Sequence, residues 1–208
     1  MKEIAMKTTN DWLRILTSCN VKPATAIAWA PVFANTISDD TFSSPDDLAP
    51  FLGQILVESR LLEKLEEDLN YTTAERICAV WPRRFPTLAD ARPYVRNPEA
   101  LANRTYGGRM GNVEIGDGWR YRGRGFPMIT GRTGYAFTGD LIGQDLEHTP
   151  ELLTQPHFAL QAGIQWWEKR IPDAILNDPE AVTKKVQGGD EALARRIELT
   201  DLARAALA

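Results

Sequence analysis

Apolar residues recur along most of the chain at the spacing of an α-helix face. The clearest case is Leu48, Phe51, Leu52, Ile55 and Leu56, which follow a serine, a proline and two aspartates that signal a helix start. Similar patterns, most of them opened by a capping residue or a proline, predict further helices. The predicted segments are residues 12–16, 24–37, 98–106, 156–170, 178–187 and 190–208, with capped starts at 72–75 and 87–90.

The first 40 residues predict two short helices. Thr9 or Asn10 is the predicted cap of the first, and Pro31 is predicted to break or kink the second, because proline removes a backbone hydrogen bond and crowds the preceding turn. No apolar run of signal-peptide length opens the chain, so we expect no signal peptide. The apolar-rich stretch 24–34 is too short to cross a bilayer, so we expect no stable membrane insertion.

One stretch departs from the helical pattern. Residues 106–125 hold seven of the fifteen glycines, and five arginines lie between Arg104 and Arg124. This composition predicts an ordered loop with a short β-ribbon. Long glycine-rich loops inside compact helical domains are usually functional.

Composition and charge restrict the class of partner. The chain has 208 residues, 43% of them hydrophobic and 25% charged, which is typical of a globular protein. The net charge of −4 provides no broad basic field for nucleic acid. Two distant cysteines, Cys19 and Cys78, exclude a disulfide framework and a cysteine-based zinc site.

An acidic cluster supplies the candidate chemistry. Glu58 follows Ile-Leu-Val and shares a side with Leu62, an apolar setting expected to raise its pKa and keep it protonated, as a glycosidic general acid requires. Glu63 and Glu66 are interpreted as a solvated helix face. Glu67 lies nine residues after Glu58, which on one straight helix would be about 13.5 Å along the axis and on the opposite side.

The two glutamates therefore share a site only if the helix ends between them, and the turn chemistry of residues 68–71 suits that reversal. An arginine from the glycine-rich stretch is then expected beside Glu67, where its charge would keep the carboxyl ionised as a base. Alternative interpretations of the stretch are an ordinary surface loop or a nucleic-acid segment. His148 and His157 lack metal-ligand spacing, and no nucleophile motif is present.

The glycine- and arginine-rich stretch carries a resemblance to a known family. Residues 102–112 read Ala-Asn-Arg-Thr-Tyr-Gly-Gly-Arg-Met-Gly-Asn, and residues 116–125 read Gly-Asp-Gly-Trp-Arg-Tyr-Arg-Gly-Arg-Gly. With residues 51–59 and 65–71, they resemble glycoside hydrolase family 19, specifically its bacteriophage endolysin branch. The resemblance implies a mainly α, lysozyme-like α+β fold with two helical lobes flanking a glycan cleft. It implies one catalytic domain over 1–208, with 1–40 completing the fold and 41–208 forming the family core.

The resemblance also implies a reaction and its residues. The reaction is inverting hydrolysis of β-1,4 bonds next to N-acetylated sugars, without metal or other cofactor. Glu58 falls on the general acid, Glu67 on the general base, and Thr130 on the hydroxyl residue that helps to hold the attacking water. The implied substrate-binding residues are Tyr106, Arg109, Asn112, Tyr121, Arg124, Met128 and Gln187.

Four polar positions depart from the family pattern. Val57 stands where the family usually has histidine, Met128 where it has glutamine, and Gly134 and Gln187 where it has asparagine. We expect this part of the cleft to be more apolar than is usual in the family.

Three functions stay open from the sequence. The leading hypothesis is a peptidoglycan hydrolase of the phage lysozyme type, a monomer made in the cytoplasm of a host bacterium and acting in the periplasm or cell wall after release. A chitinase acting on N-acetylglucosamine oligomers would use the same two glutamates. The departures prompt a third hypothesis, a glycan-binding protein without activity.

Overall fold

The computed structural model describes residues 7–44 and 46–208, which divide into two compact units. The first unit comprises residues 7–44, 46–65, 125–127 and 152–208, and the second comprises residues 66–124 and 128–151. Eleven α-helices and three short 3-10 helices occur in this part of the chain. The mainly α fold class is confirmed. In the described residues, the expected β-ribbon is reduced to two isolated antiparallel bridges, which join Glu66 to Arg124 and Arg124 to Ile129.

Six helices of the first unit follow the predicted segments closely. They are α1 (Thr9–Ser18), α2 (Pro23–Thr36), α3 (Leu48–Glu58), α9 (Pro156–Arg170), α10 (Pro179–Gln187) and α11 (Leu193–Leu207), with a 3-10 helix at Asp173–Ile175. The cap of α1 is Thr8 rather than Thr9 or Asn10, because Thr8 and Asp11 form a reciprocal capping box. The predicted break at Pro31 is wrong, since α2 continues through it. The carbonyl that loses its partner there belongs to Ile27, and this residue is exposed.

The core of the first unit is aromatic and joins the N-terminal helices to the C-terminal ones. Trp12, Phe33, Phe51 and Trp167 are buried in one cluster. A Cβ at Gly53 would lie 2.0 Å from the Thr200 hydroxyl oxygen, so glycine lets α3 and α11 approach closely. This close approach sets which side chain of α11 faces the end of α3.

Helix α3 ends between Glu58 and Glu67, as a shared site for the two glutamates requires. The Ser59 hydroxyl donates to the Ile55 carbonyl at 2.6 Å and accepts the Leu62 N–H at 2.8 Å. Arg60, Leu61 and Leu62 all have positive φ angles, 51°, 60° and 67°. The chain therefore leaves the helix at 59–62 rather than at 68–71, and Glu58 is the last helical residue.

The second unit packs short helices around a smaller core. These are α4 (Ala74–Val80), α5 (Leu88–Ala91), a 3-10 helix (Arg92–Tyr94), α6 (Pro98–Tyr106), α7 (Asp117–Arg120) and α8 (Arg132–Ile142). Thr87 caps α5 as predicted, and the cap of α4 is Thr73, one residue after the Thr72 that opens the predicted capped start 72–75. A further 3-10 helix, Pro150–Thr154, lies where the chain leaves this unit. None of the helices described is long and apolar enough to cross a membrane.

Candidate active site

The carboxylate of Glu67 is held at both of its oxygens within the second unit. The Glu67 backbone N–H donates to the Gly123 carbonyl at 2.9 Å, and the Gly123 N–H donates to Oε1 of Glu67 at 2.5 Å. The Tyr106 hydroxyl donates to Oε2 at 2.7 Å. Hydrogen bonds of this kind to a carboxylate are shorter and stronger than those between neutral groups. Glu67 is therefore fixed in one orientation.

Thr130 faces the same space as Glu67. A Cβ built on Gly123 would lie 3.2 Å from Oε1 of Glu67 and 3.3 Å from the hydroxyl oxygen of Thr130. The Thr130 hydroxyl donates to the Met128 carbonyl at 2.9 Å, so its oxygen keeps lone pairs to accept a further hydrogen bond. A carboxylate and a hydroxyl around one small space are suited to orient a water molecule.

Tyr106 acts as a neutral donor to Glu67. Burial raises the pKa of Tyr106 well above its ordinary value, and the charge of Glu67 raises it further, while the positive charge of Arg109 lowers it. The phenol therefore keeps its proton at neutral pH and continues to donate. Asn112, which is buried, supports this residue by donating to the Tyr106 carbonyl at 3.0 Å.

The arginines of the glycine-rich loop pair with Glu66 rather than with Glu67. Arg122 Nη2 lies 2.7 Å from Oε1 of Glu66, and Arg124 Nε lies 2.9 Å from Oε2. Arg122 and Arg124 both donate to the Glu66 carboxylate, while Gly123 between them pairs through its backbone with Glu67. The expectation that an arginine of this loop pairs with Glu67 is therefore wrong, because the loop arginines pair with Glu66. The interpretation of Glu66 as part of a solvated helix face is also wrong.

Tyr121 and Arg124 are engaged inside the second unit. The Tyr121 hydroxyl donates to the Glu147 carbonyl at 2.9 Å, and its ring packs against Tyr135. Arg124 is buried and donates to the Arg120 carbonyl and the Tyr135 hydroxyl. These contacts shape the loop, and contact of these two side chains with sugar stays a prediction.

Arg109 is the most accessible of the predicted binding residues in this unit. Arg109 is exposed, and Met128 is half-buried with a left-handed φ of 65°. Gly134, one of the departures, lies in α8.

Glu58 belongs to the first unit and has an ionic partner there. Arg196 on α11 donates from Nη2 to Oε1 of Glu58 at 2.5 Å and from Nη1 to the Gln54 side chain at 2.6 Å. The side chain of Arg196 is 3% exposed and that of Glu58 is 19% exposed. The expectation of a purely apolar setting for Glu58 is therefore wrong, because α11 brings in a guanidinium from 138 residues along the chain.

Two further residues of the first unit were singled out by the sequence. Gln187 is the last residue of α10 and donates to the Glu191 carbonyl at 3.0 Å. Val57 is partly buried and packs against the apolar core.

Sequence reasoning missed Arg196 and Gly123. Arg196 carried a signal, since it stands at helical spacing with Leu199 and Ala203, both buried, and an arginine on such a face needs a partner. Gly123 gave no comparable signal among its neighbouring glycines.

A comparison with known proteins supplies the family. No family model matches the chain. A protein from Haemophilus influenzae, named a glycosyl hydrolase family 19 domain-containing protein, is 35% identical over 153 residues, which are 73% of this chain and 75% of the relative. This chain belongs to glycoside hydrolase family 19. As a member of that family it is a glycoside hydrolase.

Solved structures agree with the family 19 fold. Chitinase C from Streptomyces griseus and a mutant of chitinase C each align with a TM-score of 0.55. The alignments cover 94% of this chain and 91% of the other at 17% identity, so they establish the fold alone.

Proposed function

We propose that this protein is a peptidoglycan hydrolase of the endolysin type, which cleaves β-1,4 bonds of the wall glycan with inversion. The observation that carries the proposal is the arrangement of Glu67 and Thr130 around one small space above Gly123. An inverting enzyme needs a fixed carboxylate that takes a proton from a water molecule as that water attacks the sugar. Glu67, held by Tyr106 and by the Gly123 N–H, meets this requirement.

Each residue then has one task. Glu67 accepts the proton of the attacking water, and the Thr130 oxygen accepts a second hydrogen bond that fixes the water's orientation. Glu58 gives a proton to the leaving glycosidic oxygen. Arg196 then stabilises the carboxylate that Glu58 becomes, because it is already in place as a charged donor. Inversion requires the two carboxyls to lie about 6.5–9.5 Å apart around the bond.

The resemblance of residues 102–125 to the phage endolysin branch supports peptidoglycan as the substrate. We further propose that the protein acts as a monomer in the cell wall after release from a bacterial cytoplasm. Chitin is the second candidate, since both structural neighbours are chitinases.

Three glutamate variants test the roles. Glu58→Gln and Glu67→Gln should each lower the rate by about 10²–10⁴-fold, the usual contribution of general acid or base catalysis. Glu63→Gln is the matched control, because Glu63 is an accessible acid of the same segment paired with Lys22. The rate is measured as turbidity loss of outer-membrane-permeabilised Gram-negative cells. A catalytic variant that keeps more than a tenth of the wild-type rate contradicts its assignment.

Two product assays test the reaction and the substrate. Proton NMR of the first product should show the inverted anomer. The retained anomer would contradict Glu58 and Glu67 as an inverting pair. Hydrolysis of chitin oligomers without clearing of cells would favour the chitinase. Glycan binding with no hydrolysis of either substrate would favour the non-catalytic hypothesis.

A further inference from the structure

The second unit carries a groove with an excess of positive charge. Arg83 and Arg84 line it after the end of α4, and Arg104 and Arg109 line it around the end of α6, with Trp81 beside them. We call this the arginine groove. Its volume is about 610 Å³, within the range of ligand pockets. No acidic residue is among the described residues that line it.

The arginines of this groove differ from three arginines elsewhere in the unit. Arg122, Arg124 and Arg132 are each paired with a carboxylate. Within the described part of the second unit, none of the four groove arginines has such a pair. Arg84 donates instead to the Arg104 carbonyl at 3.2 Å, which ties the two sides of the groove together. Unneutralised like charges in one concave surface attract an anionic ligand.

Trp81 gives the groove an aromatic wall. Its ring is held edge-on by Tyr71, with centroids 5.3 Å apart, and by Phe85 at 6.4 Å. The side chain is only partly buried and contributes to the groove lining. An ordered aromatic ring beside cationic donors suits a ligand that presents both an apolar sugar face and negative charge.

The groove lies next to the residues that hold Glu67. Arg109 is close enough to Tyr106 for its charge to act on the phenol, and the Tyr106 hydroxyl donates to Glu67. A glycan whose bond is cleaved at Glu67 would therefore place its neighbouring groups near Arg109 and the rest of the groove.

We propose that the arginine groove binds the carboxylates of peptidoglycan, those of its stem peptides and of lactyl ethers that carry no stem peptide, and so selects this glycan over chitin. The proposal rests on the proposed function as a glycan hydrolase. Chitin is built of uncharged N-acetylglucosamine and offers no carboxylate. The planar guanidinium matches a carboxylate with two parallel hydrogen bonds. Nucleic acid is disfavoured, because the chain has a net charge of −4 and provides no broad basic field.

A binding assay with a double variant tests the proposal. Arg83→Gln with Arg104→Gln removes two exposed charges, and both proteins carry Glu58→Gln so that the glycan is not consumed. Co-sedimentation with purified peptidoglycan sacculi at low salt should show an affinity about tenfold lower, and binding to chitin beads should change less than about twofold. The loss should shrink in about 1 M salt, which screens exposed charges.

A matched control removes equal charge outside the groove. Arg92→Gln with Arg96→Gln alters two exposed arginines of the same unit and should leave sacculus binding unchanged. An equal loss in both double variants would mean a general charge effect and would overturn the proposal. Melting curves confirm that each protein is folded. The pair Arg83→Lys with Arg104→Lys, which keeps charge but loses the planar fork, should bind with intermediate affinity.

Two further binding experiments identify the chemical group that the groove binds. Sacculi whose carboxyls have been converted to amides should bind the parent protein as weakly as native sacculi bind the double variant. Undiminished binding of the amidated sacculi would overturn the carboxylate assignment. Tighter binding of single-stranded RNA than of sacculi, lost in the same double variant, would overturn it in favour of phosphate.

The outcome is separable from that of the proposed function. If the wild-type protein fails to cleave peptidoglycan but binds it through the groove, the hydrolase proposal fails and the groove proposal stands as a binding site. If the wild-type protein cleaves peptidoglycan but the groove double variant binds sacculi as tightly as its Glu58→Gln parent, the groove proposal alone fails.

Discussion

A methyl group placed on Gly123 would occupy the space that Glu67 and Thr130 share. Its carbon would lie 3.2 Å from Oε1 of Glu67 and 3.3 Å from the hydroxyl oxygen of Thr130. The backbone of Gly123 does not have a left-handed φ, so alanine suits its conformation. The substitution Gly123→Ala therefore tests the proposed water site by steric exclusion, without removing any functional group.

The expected effects on stability and on activity differ widely. Alanine reduces the conformational freedom of the unfolded chain, which stabilises the folded protein by about 0.4–1 kcal/mol. The tight contacts with Glu67 and Thr130 require shifts of a few tenths of an ångström and offset that gain. The free energy of unfolding should change by less than about 1 kcal/mol, a shift of roughly 2–4 °C in Tm for a chain of this size. Misplacement of a water or carboxylate by about 1 Å costs on the order of 100-fold in rate, so activity should fall by about that factor.

The assay compares clearing rate and melting temperature on one sample. Gly134→Ala is the matched control, because within 4 Å its added carbon would meet only Ile129 Cγ2, at the ordinary contact distance of 3.5 Å. The control should keep wild-type activity and equal or exceed wild-type stability. Gly123→Ala with more than a third of the wild-type rate would refute the water site. A loss explained by unfolding at the assay temperature would refute the steric reasoning.

Three further predictions concern single contacts. Thr130→Val removes the hydroxyl at nearly constant volume and should lower the rate by about tenfold or more, with a Tm change under about 4 °C; an unchanged rate would exclude a role in holding water. Arg196→Met leaves Glu58 without its ionic partner and should lower the free energy of unfolding, measured in urea, by about 3 kcal/mol. Adding Glu58→Gln to this variant should recover part of the loss, and additive effects of the two substitutions would contradict the coupling. Burial and then the charge of Asp47 raise the pKa of Glu168, so its contribution to stability is fully present below the unfolded pKa and is lost as pH rises through the folded value. Glu168→Gln should therefore raise the free energy of unfolding at pH 7 and leave it unchanged below about pH 4. A pH-independent difference would contradict the linkage.

The sequence by itself determined most of the helical elements. It also indicated that Glu58 lies on the helix that begins near Leu48. Thr73 and Thr87 cap their helices because the capping hydrogen bond joins residues three apart and needs nothing else. Composition alone marked the glycine-rich stretch as largely irregular, although it also contains the short helix α7 at Asp117–Arg120. The requirement that the helix end between Glu58 and Glu67 also followed from the helix repeat, although the turn itself lies at 59–62.

Only the tertiary structure decided which charges meet. Arg196 reaches Glu58 because glycine at position 53 lets α3 and α11 pack closely, and the two charged residues are 138 positions apart. The choice of Glu66 over Glu67 by the loop arginines depends on a pairing register, and a shift of one residue turns every side chain to the opposite face. Local signals act within a turn or two of chain. The pairing of distant side chains depends on how their segments pack, and no short stretch of sequence contains that information.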